Sequence, residues 1–192
     1  MRILNAYMKG CVYKRVSKMR IKKYASEQEK VSSNKLGGTM EKIASFTIDH
    51  DVLVPGFYIS RIDGDITTYD LRTRKPNAGD YMSDATMHSV EHMFATYVRN
   101  SEISDDVIYF GPMGCQTGFY LLVRNQAPKK VFDIAKDVLK KIVDHDGEVF
   151  GKSAIECGHY ENLDIELAKK ECRFMLETFE AQTNMEFTYP TK

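Results

Sequence analysis

The sequence predicts an α+β fold in which a largely antiparallel sheet packs against helices. Three observations carry this. Short β-rich stretches come in adjacent pairs joined by Gly-bearing turns. Three longer stretches repeat apolar residues at spacings of three and four. The resulting order, ββ-α-ββ-α-α, lacks the regular βαβ alternation of a parallel sheet. With 192 residues, 43% hydrophobic and 28% charged, the chain has the composition of about one globular domain. That excludes collagen-like, wholly disordered and polytopic membrane classes. Lysine plus arginine number 27 and aspartate plus glutamate 27, so a uniformly basic nucleic-acid binder is also excluded, and no membrane partner is expected.

The elements follow in order from residue 40. Phe46-Thr47-Ile48 is read as a short opening strand. Phe57–Ile62 and Ile66–Leu71 are strands, and Asp63-Gly64-Asp65 between them is a hairpin turn signal. The stretch Lys75–Asp84, with Pro76, Asn77 and Gly79, is a loop. Ser83 or Asp84 caps a helix reaching about Asn100, with Met87, Val90, Phe94 and Tyr97 as its apolar stripe. Val107–Phe110 and Phe119–Val123 are strands around the turn Gly111-Pro112-Met113-Gly114. Pro128–His145 is a second helix, with Val131, Ile134, Val138 and Ile142 on one face and Gly147 beyond its end. After a loop over Gly151–Asn162, Asp164–Phe179 is a third helix, with Ile165, Ala168, Cys172, Leu176 and Phe179 inward. One domain is therefore expected over 40–181, with a frayed polar tail over 182–192.

Charge divides the chain. Residues 1–40 hold ten basic and two acidic residues, while residues 41–192 hold seventeen basic and twenty-five acidic ones. Such asymmetry marks an arm on a folded body, so residues 1–39 are read as a basic, disordered extension or linker. Tyr13, Val16 and Met19 are spaced for a short amphipathic helix, and Ser26–Gly38 reads as a linker. No apolar run in this arm has signal-peptide length. It fits a nucleic-acid or membrane-surface arm, a transit peptide, or sequence upstream of a start at Met40. The last reading fits best, because globular patterning begins only there. Cys11, Cys115, Cys157 and Cys172 show no paired spacing, which points to a reducing, cytoplasmic setting.

The sharpest chemical feature is His88-Ser89-Val90-Glu91-His92. On a helix His88 and His92 stand one turn apart on the same face, so two imidazoles can reach one metal ion, and Glu91 stands beside them to handle protons. Chance supplies about 0.01 such pentads in a chain of this composition. Two histidines need a third ligand; the candidates are Cys157, in a loop beside Gly158, and Glu166 on the last helix. Cys172 reads as ordinary core. Cys115, in Gly111-Pro112-Met113-Gly114-Cys115-Gln116-Thr117-Gly118, is held exposed in a turn, where a nearby cation would favour the thiolate. Asp70 and Arg72 share one face of a strand, and pattern alone reads them as a surface ion pair of little worth.

Taken together these pieces resemble the S-ribosylhomocysteine lyase family, the LuxS enzymes that make the autoinducer-2 precursor. The resemblance covers about Met40 to Phe179. It rests on Ser45-Phe46 with Asp49-His50, Asp70-Leu71-Arg72 with Pro76-Asn77, the His88–His92 pentad, Pro112-Met113-Gly114-Cys115-Gln116-Thr117-Gly118-Phe119-Tyr120, and Cys157-Gly158. It implies a LuxS-like metalloenzyme fold and a homodimer acting on the small molecule S-ribosyl-L-homocysteine. It also implies one Fe²⁺ per chain, with Zn²⁺ or Co²⁺ as substitutes. By the same resemblance His88, His92 and Cys157 are the ligands, Cys115 and Glu91 the acid/base residues, and Ser45, His50 and Arg72 the substrate contacts. The implied reaction moves the ribose carbonyl from C1 to C3, then eliminates homocysteine and leaves 4,5-dihydroxy-2,3-pentanedione. The chain departs from the family pattern in two places: Gly111 stands where serine is common, and the extension before Met40 has no counterpart.

Two rival readings use the same pentad. A His-x-x-Glu-His metallopeptidase would set Glu91 to activate water and draw on Glu166 as a further ligand. A structural zinc module would close its site with a fourth ligand such as His159.

Overall fold

Strand β1 (Gly56–Asp63) turns back into β2 (Ile66–Arg72) through Gly64 and Asp65, and Gly64 supplies the positive φ, 62°, that so tight a turn requires. The computed structural model describes residues 40–192, and everything read above from residues 1–39, Cys11 and the Tyr13–Met19 pattern included, lies outside the described residues. Strands β3 (Val107–Pro112) and β4 (Gly118–Arg124) form a second hairpin, and β4 lies beside β2. The sheet order is β1-β2-β4-β3, antiparallel throughout.

Three helices cover one face: α1 (Asp84–Val98), α2 (Pro128–Val143) and α3 (Ile165–Ala181). Alternation along the strands sends Phe57, Tyr69, Leu71, Phe119, Leu121 and Val123 to the helices. The helices answer with Val90, Met93 and Phe94, with Phe132, Ala135 and Leu139, and with Ala168, Cys172 and Met175. Phe110 stacks between Phe94 and Phe119, at ring separations of 4.2 and 5.2 Å. Cys172 is core, as expected, and burial pushes its thiol well above its ordinary pKa. The α+β class is thus the observed one.

Helix ends differ slightly from expectation. Ser83 caps α1 by accepting from the Thr86 N–H, and the helix stops at Val98, where Asn100 N–H turns to Tyr97 O. Helix α2 ends at Val143 rather than His145. Asp164 is the cap of α3, not its first residue, and accepts from Glu166 N–H and Leu167 N–H. The loop before α3 contains a 3₁₀ turn over Tyr160–Asn162.

Two expectations fail. Phe46-Thr47-Ile48 is not a strand: Ala44–Phe46 form a 3₁₀ turn, and the Phe46 ring is 69% exposed. The outer edge of β1, where such a strand would pair, is occupied by the C-terminal residues, and these are not frayed. The Gln182 side-chain amide brackets Phe57, its oxygen accepting from Phe57 N–H and its nitrogen donating to Phe57 O. At the irregularity around Ser60 in β1, Ile59 N–H donates to Phe187 O at 2.7 Å. An edge strand presents unpaired backbone groups, and this segment satisfies them. The Phe187 ring, 2% exposed, packs on Phe57 and Phe132. A polar composition hides one aromatic anchor.

Phe187→Ala is therefore expected to cost about 3–5 kcal/mol, the usual loss for a buried phenylalanine. The measurement is the urea midpoint; a tail without packing would leave it unmoved.

Candidate functional site

Helix α1 brings His88 and His92 into edge contact, ring centroids 4.7 Å apart. Each ring is oriented from behind. His92 Nδ1 lies 2.8 Å from Phe150 O, and a carbonyl can only accept, so Nδ1 carries a proton and Nε2 is the nitrogen left to bind a metal. His88 Nδ1 donates likewise to Asn162 Oδ1 at 2.5 Å. His88 Nε2 then faces Cys157 Sγ at 3.3 Å, and the sulfur accepts from His159 N–H at 3.4 Å. The ligand atoms of His88, His92 and Cys157 all lie within 4.8 Å of one another.

This donor set fits a metal ion. Two imidazoles whose Nδ1 protons are committed to acceptors, together with one cysteine sulfur, would give three protein ligands, a set that leaves a coordination position for water or substrate. Among the described residues no other group of three or more His, Cys, Asp or Glu side chains converges in this way. Glu166, the alternative third ligand, and His159, the closing ligand of a structural zinc module, lie outside it.

The loop that delivers Cys157 is built for the purpose. Gly151 has φ 71°, and a Cβ there would stand 3.2 Å from His92 Nδ1, so glycine allows the approach of His92 to the Phe150 carbonyl. Ser153 O then accepts from both Glu156 N–H and Cys157 N–H. At the far end Ser89, between the two histidines, donates to Ala85 O and accepts from Asp164 N–H, pinning the start of α3 to α1.

A second cluster forms where β2 ends beside the β3–β4 turn. Asp70 and Arg72 are 0% and 2% exposed, so the surface pair expected from pattern is a buried one. The reason is the cover supplied by the C-terminal segment: Tyr189 Oη donates to Asp70 Oδ2 at 2.9 Å, and its ring stacks on Tyr58. Arg72 Nη2 donates to the same Asp70 oxygen at 2.6 Å. Burial pushes the Asp70 carboxyl above its ordinary value, and Arg72 and Tyr189 pull it back. Burial opposes the charge on Arg72 too, but Asp70 outweighs it and the guanidinium stays cationic. Its Nη1 donates to Thr117 Oγ1 at 2.5 Å and points at the exposed Cys115 Sγ, 3.9 Å away.

Of the remaining expected residues, His50 is half-buried, donates through Nδ1 to Ile48 O, and lies close enough to act electrostatically on Asp70. Ser45 and Glu91 are half-buried and make no side-chain hydrogen bond to another described residue. The Cys115 turn is tied to the start of α1 by Met82 N–H to Gln116 O and by Gln116 Nε2 to Asp84 Oδ1, one turn before His88. Gly111 is matched to its neighbour: a Cβ there would stand 2.0 Å from Tyr109 Oη, so a serine would require the half-exposed Tyr109 ring to swing aside. Asn162, the Phe150 carbonyl, Gly151, Ser89 and Thr117 were not singled out by the sequence. Only Ser89 and Thr117 lay inside motifs that were.

Comparison with known proteins gives this geometry its context. The S-ribosylhomocysteinase (LuxS) family matches residues 43–186. An S-ribosylhomocysteine lyase of Finegoldia magna is 44% identical over 135 residues, 68% of this chain and 86% of the relative. One of Desulfotalea psychrophila is 40% identical over 159 residues, 79% of this chain and the whole of the relative, and one of Borreliella burgdorferi is 38% identical over 157 residues with the same coverage. Both residue clusters, Tyr189 apart, fall inside the matched region, and such identities extend over nearly the full length of these relatives. The chain belongs to the S-ribosylhomocysteinase (LuxS) family.

Proposed function

We propose that the protein is a carbon–sulfur lyase that cleaves S-ribosyl-L-homocysteine to L-homocysteine and 4,5-dihydroxy-2,3-pentanedione. The observation that carries the reading is the pairing of a three-ligand metal centre with a separate thiol, Cys115, that has a buried arginine beside it. A peptidase centre would have no work for that thiol.

The chemistry needs such a division. The C5–S bond cannot break by elimination until a carbonyl sits at C3, so the carbonyl must travel from C1 through C2. Each shift takes a proton from one carbon and delivers one to its neighbour. Cys115 as thiolate and Glu91 as carboxylate, on different elements, are the two bases. Arg72 places positive charge beside the Cys115 sulfur, and with Ser45 and His50 contacts the substrate. In the last step a base removes the C4 proton and homocysteine leaves from C5. A divalent ion held by His88, His92 and Cys157 supplies the Lewis acidity that stabilises negative charge on the sugar oxygens. The resemblance to the family implies Fe²⁺, with Zn²⁺ or Co²⁺ as substitutes, one per chain, and mixed nitrogen and sulfur donors are compatible with each of them.

The protein works as a homodimer with its substrate pockets near the interface. Ile43 and Phe46, flanking Ser45, are exposed, and Ile155, two residues from Cys157, is 94% exposed. Apolar side chains bare beside site residues are what a second copy would cover. The dependence on a free thiol suits a reducing cytoplasm, and no helix among the described residues is long and apolar enough to cross a membrane.

Three outcomes are expected. Cys157→Ser lowers bound metal and thiol release together, and Asn162→Ala weakens metal affinity about 10–100-fold by freeing the His88 ring; unchanged metal in both would remove the assigned ligand set. Cys115→Ser and Glu91→Gln keep metal near wild type while single-turnover thiol release disappears; loss of metal from Cys115→Ser would make Cys115 a ligand. Sedimentation at micromolar concentration gives a dimer, and a fully active monomer would sink that assignment.

A further inference from the structure

We propose that Thr117 is a positioning residue that holds Cys115 as a thiolate, by relaying the positive charge of Arg72 to the sulfur through its hydroxyl. The inference rests on the reading of Cys115 as a proton carrier and deepens it.

Donor and acceptor arithmetic gives the direction of each bond. A guanidinium can only donate, so Thr117 Oγ1 accepts from Arg72 Nη1 at 2.5 Å. The hydroxyl then has one proton to place, and Cys115 Sγ, 3.0 Å away, is its one acceptor among the described residues. A thiol is a weak acceptor and a thiolate a strong, charge-assisted one. With a thiol the hydroxyl either gives its proton to a weak acceptor or accepts from the S–H and keeps its own proton unplaced. With a thiolate it makes one strong bond, so the arrangement favours the ionised sulfur. The direct distance from Arg72 Nη1 to the sulfur is 3.9 Å, so the hydroxyl makes the shorter link, and donation to it from the guanidinium polarises the O–H further.

The hydroxyl cannot drift. Thr117 is 2% exposed, and its carbonyl accepts from both Thr73 N–H at 2.9 Å and Arg74 N–H at 3.1 Å, clamping it to the end of β2. On one side Gln116 takes φ 61°; on the other Gly118 lies so close to β2 that a Cβ would stand 2.7 Å from Leu71 O. The Arg72 side of the relay is fixed in turn by Asp70.

The test uses the full-length, metal-loaded protein. Iodoacetamide labelling of Cys115 is followed by peptide mass spectrometry across a pH series, with metal measured on the same samples. Thr117→Val keeps the branched shape and removes the hydroxyl; Thr117→Ser keeps the hydroxyl and removes a methyl. Losing one hydrogen bond to a charged group displaces the labelling profile of the valine variant by about one pH unit toward alkaline values. Its alkaline plateau and its metal content stay at wild type, and the serine variant follows the wild-type profile. Thr117→Ala is read in the same way should the valine variant fold poorly. Superimposed profiles for wild type and valine overturn the proposal. So does a serine profile displaced as far as valine's, which would make the role one of shape, or a lowered plateau at an unmoved midpoint, which would make it one of access. Labelling needs no turnover, so these outcomes stand apart from failure of the lyase reading, which Cys115→Ser tests.

Discussion

Helix α1 is held between two layers, and the site depends on that. At 100° per residue, Met87, Val90, Met93, Phe94 and Val98 occupy the arc facing the sheet and the other helices, while His88 and His92 stand on roughly the opposite side. That opposite side is covered by the segment running from Phe150 to Asn162, which supplies the carbonyl for His92, the amide oxygen for His88, and Cys157 itself. The core sets the rotation of the helix, and the rotation sets where both Nε2 lone pairs point. Ser89 links the two layers through Asp164.

The second cluster depends on burial of charge. Moving Asp70 and Arg72 out of water costs several kcal/mol per ion unless each is well paired. Here the pair shares bonds with Tyr189 on one side and Thr117 on the other, yet Asp70 Oδ1 and Arg72 Nε are left without a partner among the described residues. Such a pair is poor evidence for stability, but it holds a guanidinium in one place and keeps it cationic. A chain of contacts thus runs from Tyr189 through Asp70, Arg72 and Thr117 to Cys115. The C-terminal segment, which also completes the edge of β1, is part of the support for Cys115.

The surroundings of the two clusters differ in bonding character. His88 and His92 are oriented by groups that can only accept, the Asn162 amide oxygen and the Phe150 carbonyl, which places a proton on each Nδ1. Cys115 Sγ instead has as neighbours the Arg72 guanidinium and the Thr117 hydroxyl, groups able to donate. The same residue type, cysteine, thus stands in two contrasting surroundings.

By itself the sequence determined the α+β class, four of the strands, all three helices and the residues of the His88–His92 pentad, because each of these follows from periodicity over a few adjacent residues. Gly64 at the β1–β2 turn and Ser83 at the start of α1 were legible for the same reason: turn and cap chemistry is local. Tertiary structure alone decided that Cys157 and not Glu166 meets the histidines, since that depends on a loop 69 residues from His88 in the chain. It alone decided that Asp70 and Arg72 are buried, because their cover, Tyr189, lies 119 residues from Asp70. The tail read as frayed for a related reason. Its eleven residues are mostly polar, and Phe187 becomes an anchor only when the open edge of β1 offers backbone groups to pair and Phe57 and Phe132 offer a surface to pack on. Periodicity reports which side of an element is apolar; what covers that side is settled only when distant segments meet.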